Sequence, residues 1–224
     1  MKTNGRMVLL AGLCWMTAAS ASAQHFVGLS SGYAVNTLSS SIYEDFRSVD
    51  SWNNYGIVYK FYSHIPLWPE GFGARIGTGL QSALNLTSRG YQRDSTAILR
   101  YTAIEVPFMT HLHLSFWRIR LIAAGGLYAS YLLDGTQANL DPDAPTTIVI
   151  SEGAYSFQPD DRRFDYGLRF GGGLALMLHP LEIQFEFNYA VGLGYVHKPV
   201  IPGKYTIYNR FSQMIFSVGA FIVL

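Results

Sequence analysis

Charge is scarce in this chain of 224 residues: Asp, Glu, Lys and Arg together make up 14%, where soluble domains carry roughly 25%. A soluble domain of this length needs more charge to cover itself, so part of the outer surface is expected to lie out of water. The formal net charge of +1 offers no field for nucleic acid or a strongly acidic partner. Cysteine occurs once, at Cys14, which excludes an internal disulfide framework. Beyond residue 23 there is no run of ~18 apolar residues, so no membrane-spanning helix is expected. Aromatic residues are abundant instead, with 15 Tyr, 14 Phe and 4 Trp, and Gly reaches 22.

The first residues have the form of a secretory signal peptide. Lys2 and Arg6 precede an apolar run from Met7 to Ala19, and Ala21-Ser22-Ala23 supplies small residues at the cleavage positions. The expected leader is residues 1–23, cut between Ala23 and Gln24, and Cys14 leaves with it. The rival is a lipoprotein signal, against which stands Leu13 where a small residue belongs. An exported, low-charge, aromatic-rich chain leaves a secreted β-sandwich or an outer-membrane barrel.

Period two dominates the rest, residues 24–224. Leu181–Gly192 alternates strictly, with Ile183, Phe185, Phe187, Tyr189 and Val191 on one parity and Glu182, Gln184, Glu186 and Asn188 on the other. The same reading gives eight strand candidates: His25–Val35, Trp52–Ser63, Phe72–Leu86, Ile98–His111, Arg118–Leu133, Phe164–Leu178, Leu181–Gly192 and Asn209–Leu224. They run ~10–15 residues, closer to the ~9–11 of a tilted spanning strand than to the ~5–6 of a soluble one. Long polar connections (Asn36–Ser51, Thr87–Ala97, Asp134–Arg163, Gly194–Tyr208) alternate with short ones (His64–Gly71, His113–Trp117, His179-Pro180). That is the outer-membrane pattern, with loops outside and turns in the periplasm. The fold class expected is therefore all-β: an eight-stranded antiparallel up-and-down transmembrane β-barrel after an N-terminal signal peptide, both termini periplasmic, in the outer membrane of a Gram-negative bacterium. Thr146–Ile150 would extend the barrel as an extracellular hairpin. The apolar parity would then meet lipid and the polar parity the lumen.

Several stretches carry a resemblance. Leu80–Gly90 runs into a basic-glycine turn, Arg100–Phe108 contains Tyr-x-x-Ile-Glu-Val-Pro, Ala124–Leu133 contains Gly-x-Tyr-x-x-x-Leu, and Asp165–Gly173 contains Asp-x-Gly-x-x-x-Gly-Gly-Gly. In this order they resemble the PorT-like outer-membrane β-barrel family of Bacteroidetes-type bacteria, over most of the chain after residue 23. The resemblance implies a small outer-membrane barrel and no single activity; a namesake member serves a protein-secretion system.

The inward parity collects Lys60, Arg75, Arg120 and Arg169 with Glu105, Asp165, Glu182 and Glu186, most near periplasmic strand ends. An eight-stranded barrel is just filled by side chains, so this cluster reads as a structural salt-bridge plug, the alternative being a narrow gated ion path. Gly77, Gly79, Gly125, Gly126 and Gly171–Gly173 lie inside strands, which excludes a phosphate loop and points to bends or crowding. His111 and His113 are too few donors for a metal site and read as interface residues near a turn. A lipid A-modifying enzyme would draw on rim groups His197, Asp134, Asp165 and Ser130, which only the fold permits. The acidic residues of Asp134–Arg163 match no calcium-loop spacing. Tyr33, Trp52, Tyr62, Trp68, Trp117, Tyr131 and Tyr195 are expected in interfacial girdles. The expectation is a barrel without catalysis, cofactor or metal, surrounded by outer-membrane lipid, with protein partners met through extracellular loops or periplasmic turns, no nucleic acid, and a monomeric state. The alternatives are a secretion or envelope-assembly component, a lipid A enzyme and a narrow pore.

Overall fold

The computed structural model describes residues 23–40, 46–66, 74–93, 97–141, 149–159, 161–195 and 209–224. They form strands β1 (Gln24–Ser40), β2 (Phe46–Pro66), β3 (Arg75–Arg93), β4 (Ala97–Phe116), β5 (Ile119–Leu140), β6 (Val149–Ala154), β7 (Phe164–Leu178), β8 (Leu181–Gly192) and β9 (Asn209–Val223). Eight of them close a ring in which every neighbour is antiparallel: β1 to β5 pair in sequence, β5 pairs with β7, and β7 to β9 lead back to β1. Closure leaves the ring no open edge, so every ladder hydrogen bond is made within the sheet. The ninth strand, β6, joins only Thr136–Leu140 of β5, beyond Tyr131 where β7 has ended. The expected hairpin segment, Thr146–Ile150, overlaps it only at Val149 and Ile150, and its remainder falls within residues 142–148, outside those described.

Alternation decides which side chains face in. On β4 the odd residues from Tyr101 to Ser115 are buried, while Ile104, Val106, Phe108, Leu112, Leu114 and Phe116 are exposed. The same inversion runs round the ring, with Leu29, Ile57, Leu84, Leu127, Phe170, Phe185 and Phe216 outward and polar or charged groups inward. The core is thus the lumen, not a layer between sheets. One apolar cluster (Phe26, Val58, Tyr62, Ala83, Ile122, Ala175, Phe221) fills it toward one end, and a second (Leu38, Tyr91, Leu99, Tyr101, Ala103, Leu132, Phe211) toward the other.

The two ends differ. Turns Trp117–Arg118 and His179–Pro180 lie at the end where β1 starts and β9 finishes, since the Leu224 amide donates to the His25 carbonyl at 2.9 Å and the Val223 amide to that of Pro180 at 3.0 Å. We call this the turn end and its opposite the loop end. At the loop end the strands are longer than the sequence pattern indicates. β1 runs to Ser40 and β2 begins at Phe46, so the expected Asn36–Ser51 loop is mostly strand; β3 continues to Arg93, replacing most of Thr87–Ala97; β5 continues to Leu140. The physical reason is that both faces of these extensions are wetted or capped, so the apolar-polar contrast fades while the hydrogen-bond ladder continues. Register shifts at Gly32/Ala34, Ser48/Asn54 and Thr102/Ala103 mark the passage. The expected boundaries of Phe164–Leu178 and Leu181–Gly192 coincide with β7 and β8.

Candidate functional site

The lumen holds two tiers of ions. In the tier nearer the turn end, Arg120 Nη1 donates to Glu182 Oε2 at 2.6 Å and its Nε to Ser115 Oγ at 3.1 Å. Its guanidinium lies 4.0 Å from the Tyr62 ring centre. Beside it Lys60 Nζ donates to Glu186 Oε1 at 2.9 Å and to Gln184 Oε1, with the Phe221 ring 3.7 Å away. Gln184 Nε2 and Asn188 Nδ2 donate to the two oxygens of Glu186 at 2.6 and 3.2 Å. In the tier nearer the loop end, Arg89 bridges Glu105 Oε2, at 2.8 Å, and Asp165 Oδ2. Arg169 reaches the other oxygen of Glu105 at 2.5 Å, and the Tyr128 hydroxyl donates to Asp165 at 2.9 Å. A chain of five groups from β7, β4, β3 and β5 thereby spans the bore. Each of these ions would be costly if buried alone, which is why carboxylate and cation alternate along the chain.

Between the tiers, beside Arg169 and Glu186, lies a cavity of about 30 Å³, room for no more than a few waters. Above the second tier the aromatic cluster closes the loop end, with Tyr101 stacked on Phe157 at 5.9 Å and edge-on to Tyr155 at 5.6 Å. Burial and the hydrogen bond to Asp161 push the Tyr155 phenol up from its ordinary pKa.

Of the eight cluster residues read from the sequence, Lys60, Glu105, Arg120, Asp165, Arg169, Glu182 and Glu186 point into the lumen, Glu186 being partly buried and the rest buried. Arg75 does not join them: it is exposed at the start of β3, beyond the packed lumen, and lines the mouth at the turn end. Its place is taken by Arg89, 1% exposed, on the part of β3 that the sequence reading assigns to a loop. Nor is the cluster gathered near one set of strand ends, since Arg89, Glu105, Asp165 and Arg169 form the upper tier. Continuing the odd parity of β3 past Leu86 through Thr87 to Arg89 is the signal that finds it.

His111 and His113 are not interface residues. They are 3% and 2% exposed and pack in the lumen against Tyr62, at 4.6 and 5.0 Å. Each lies opposite a glycine, His111 over Gly79 and His113 over Gly77. A Cβ on Gly79 would come 2.1 Å from His111 Nε2 and one on Gly77 2.7 Å from His113 Nε2, so bare backbone makes room for the imidazoles. Among the described residues no three His, Cys, Asp or Glu donors cluster. Tyr62 likewise leaves the expected girdle for the lumen, with 0% exposure. Of the rim groups, Ser130 and Asp165 face each other across β5 and β7, but the Asp165 carboxylate is held by Arg89 and Tyr128, and Asp134 is exposed. His197, Trp68 and the leader with Cys14 lie outside the described residues.

A closed ring of eight strands, apolar outside and ionic inside, inverts the arrangement of a soluble protein. The family model for the outer membrane protein beta-barrel domain matches residues 18–198. The chain belongs to this family. It is a small transmembrane barrel of the outer membrane, and its apolar outer face is the lipid face. No curated protein matches it significantly. Among solved structures it is similar to the attachment invasion locus protein Ail of Yersinia pestis, with 12% identity, TM-score 0.40, and 89% of this chain and 99% of that one covered. It is also similar to the outer membrane protein AlkL in lipid bilayers, with 12% identity, TM-score 0.45 and 90% of each chain covered. The N-terminal barrel domain of Pseudomonas aeruginosa OprF has 11% identity and TM-score 0.39, with 87% of this chain and 97% of that one covered. Around this outer-membrane barrel the Tyr33–Trp52 ring pair, at 4.8 Å, and the exposed Tyr131, Phe164 and Tyr166 lie on the outer face toward the loop end, while Trp117 stands at the turn end.

Proposed function

We propose that this outer-membrane barrel has a closed lumen and acts as a structural or interaction protein through its two ends, without catalysis. The observation that carries the reading is the filling of the bore by ion tier, ion tier and aromatic cap, with only a cavity of about 30 Å³ between the tiers. Balanced, mutually bonded ions leave no unpaired charge to draw a permeant ion through. Export by a leader cut after Ala23 puts both termini and the short turns in the periplasm and the loop end outside the cell. The barrel acts as a monomer, since the closed ring offers a partner no strand edge and β6, outside the ring, only a six-residue one. The refolded protein in planar bilayers tests the reading: it should carry no sustained current, and stepwise openings would replace it with the narrow-pore alternative. Unchanged lipid A mass in cells producing the protein is the matching expectation for catalysis.

A second reading rests on the order of the PorT-like motifs. A component of a secretion or envelope-assembly machine would co-purify with periplasmic or membrane proteins after mild solubilisation, and a barrel recovered alone would remove that reading.

A further inference from the structure

The turn end is not filled like the rest of the bore. Below the Arg120–Glu182 pair the barrel opens into a cavity of about 680 Å³, within the ~300–1,000 Å³ of ligand sites. Among the described residues its basic lining is Arg75, Arg118 and Arg120, and the one carboxylate is Glu182, whose Oε2 is already bonded to Arg120. Arg75 and Arg118 are exposed and have no ion pair among the described residues. The rest of the wall mixes polar Gln24 and Ser115 with apolar side chains, Phe26, Leu181 and Val223 among them. Trp117 stands on the rim with φ 52, a conformation that a bulky side chain rarely takes. Its ring lies 5.5 Å from the Arg118 guanidinium.

We propose that this cavity is a binding site for an acidic peptide segment, one that alternates carboxylates with apolar side chains, supplied by a protein facing the turn end. The carboxylates meet Arg75 and Arg118, whose planar forks suit them, and the apolar side chains cover Phe26, Leu181 and Val223. A free phosphate would satisfy the cations and leave the apolar wall wet. A phospholipid headgroup would have to leave the leaflet, because the cavity opens at the barrel end and not through the lipid-facing wall. That the partner is periplasmic rests on the orientation proposed above; the site itself does not.

The test uses the refolded chain from residue 24 onward in detergent micelles and a fluorescein-labelled peptide that alternates Asp or Glu with Leu and Phe, read by anisotropy. Saturable binding that weakens with salt is expected. Arg75→Gln with Arg118→Gln should weaken it about tenfold or more, the scale of losing charge-assisted hydrogen bonds, while unboiled gel migration stays that of a folded barrel. A version of the peptide with Lys for its acids, tested on the unaltered protein, should not bind. No saturable binding, equal binding of the Lys peptide, or undiminished binding to a folded double variant would overturn the proposal. Displacement by inorganic phosphate as effective as by unlabelled peptide would reduce the cavity to a simple oxyanion site and overturn it too. Orientation is read separately: Trp117→Cys in intact cells should resist a membrane-impermeant maleimide. Labelling there would put the turn end outside the cell and sink the orientation while leaving the binding result intact.

Discussion

Arg89 holds two carboxylates at once, Glu105 and Asp165, whereas Arg120 holds one, Glu182. Removing Arg89 leaves Asp165 without a cation and takes one of two from Glu105, which keeps Arg169, while removing Arg120 leaves Glu182 without its ion-pair partner; a broken buried pair costs about 3–5 kcal/mol. Arg89→Ala should therefore lower the urea unfolding midpoint more than Arg120→Ala does, and equal midpoints would show that the second bridge of Arg89 contributes nothing. Gly79 supplies a steric counterpart. Gly79→Ala should destabilise by about 1–3 kcal/mol, as overpacking does. Adding His111→Ala should recover only part of this, because the Phe61 carbonyl would still lie 2.2 Å from the new Cβ. A full recovery would assign the whole clash to the imidazole. At this scale the sequence was legible where parity met contrast: Glu182 and Glu186 alternate with Ile183, Phe185 and Phe187, and they point where the alternation indicates. It was not legible for Arg89, because near it the strand leaves the apolar band and neither parity is apolar enough to mark a face. For His111 the missing information was the partner across the ladder, since only the register reveals that it lies on Gly79.

Strands of one sheet meet different solvents along their length. Leu127 on β5 and Ile150 on β6 are 61% and 63% exposed in the isolated chain, so exposure alone predicts the same tolerance to charge. Their heights differ. Leu127 lies opposite Phe108 within the apolar band, while β6 joins β5 only past Tyr131. Leu127→Arg should cost about 2–4 kcal/mol in a bilayer, as a cation near the midplane does, and Ile150→Arg nearly nothing. Unfolding titrations in lipid vesicles compare them, and equal losses would mean that the hairpin is itself embedded. The same distinction explains why β7 and β8 were bounded correctly from the sequence while β1, β3 and β5 were drawn too short. β7 and β8 end with the apolar alternation, and the others continue beyond it.

For the molecule as a whole, closure through β1 and β9 makes each of the eight ring strands depend on two neighbours. Unfolding should be all-or-none, with one heat-dependent gel shift whose midpoint does not move with protein concentration; a midpoint that rises with concentration would indicate a stabilising oligomer. The architecture was legible in the sequence because eight alternating segments with unequal connections admit few arrangements. The two-tier organisation of the bore was not, since the height of a side chain on the axis depends on tilt and stagger, which no single strand encodes.

The part of β5 past the apolar band has a consequence for reach. Asp134–Leu140 adds seven residues, which at ~3.3 Å each along a strand tilted by ~40° raise the wall by ~18 Å. β6 is fastened along that parapet by its register. An antibody or a large protein approaching from that side touches the parapet before it touches any lipid. Shortening β5 and its hairpin row by row would lower the point of first contact while leaving the ion tiers in place, and so would separate how far the protein projects from how firmly it is held.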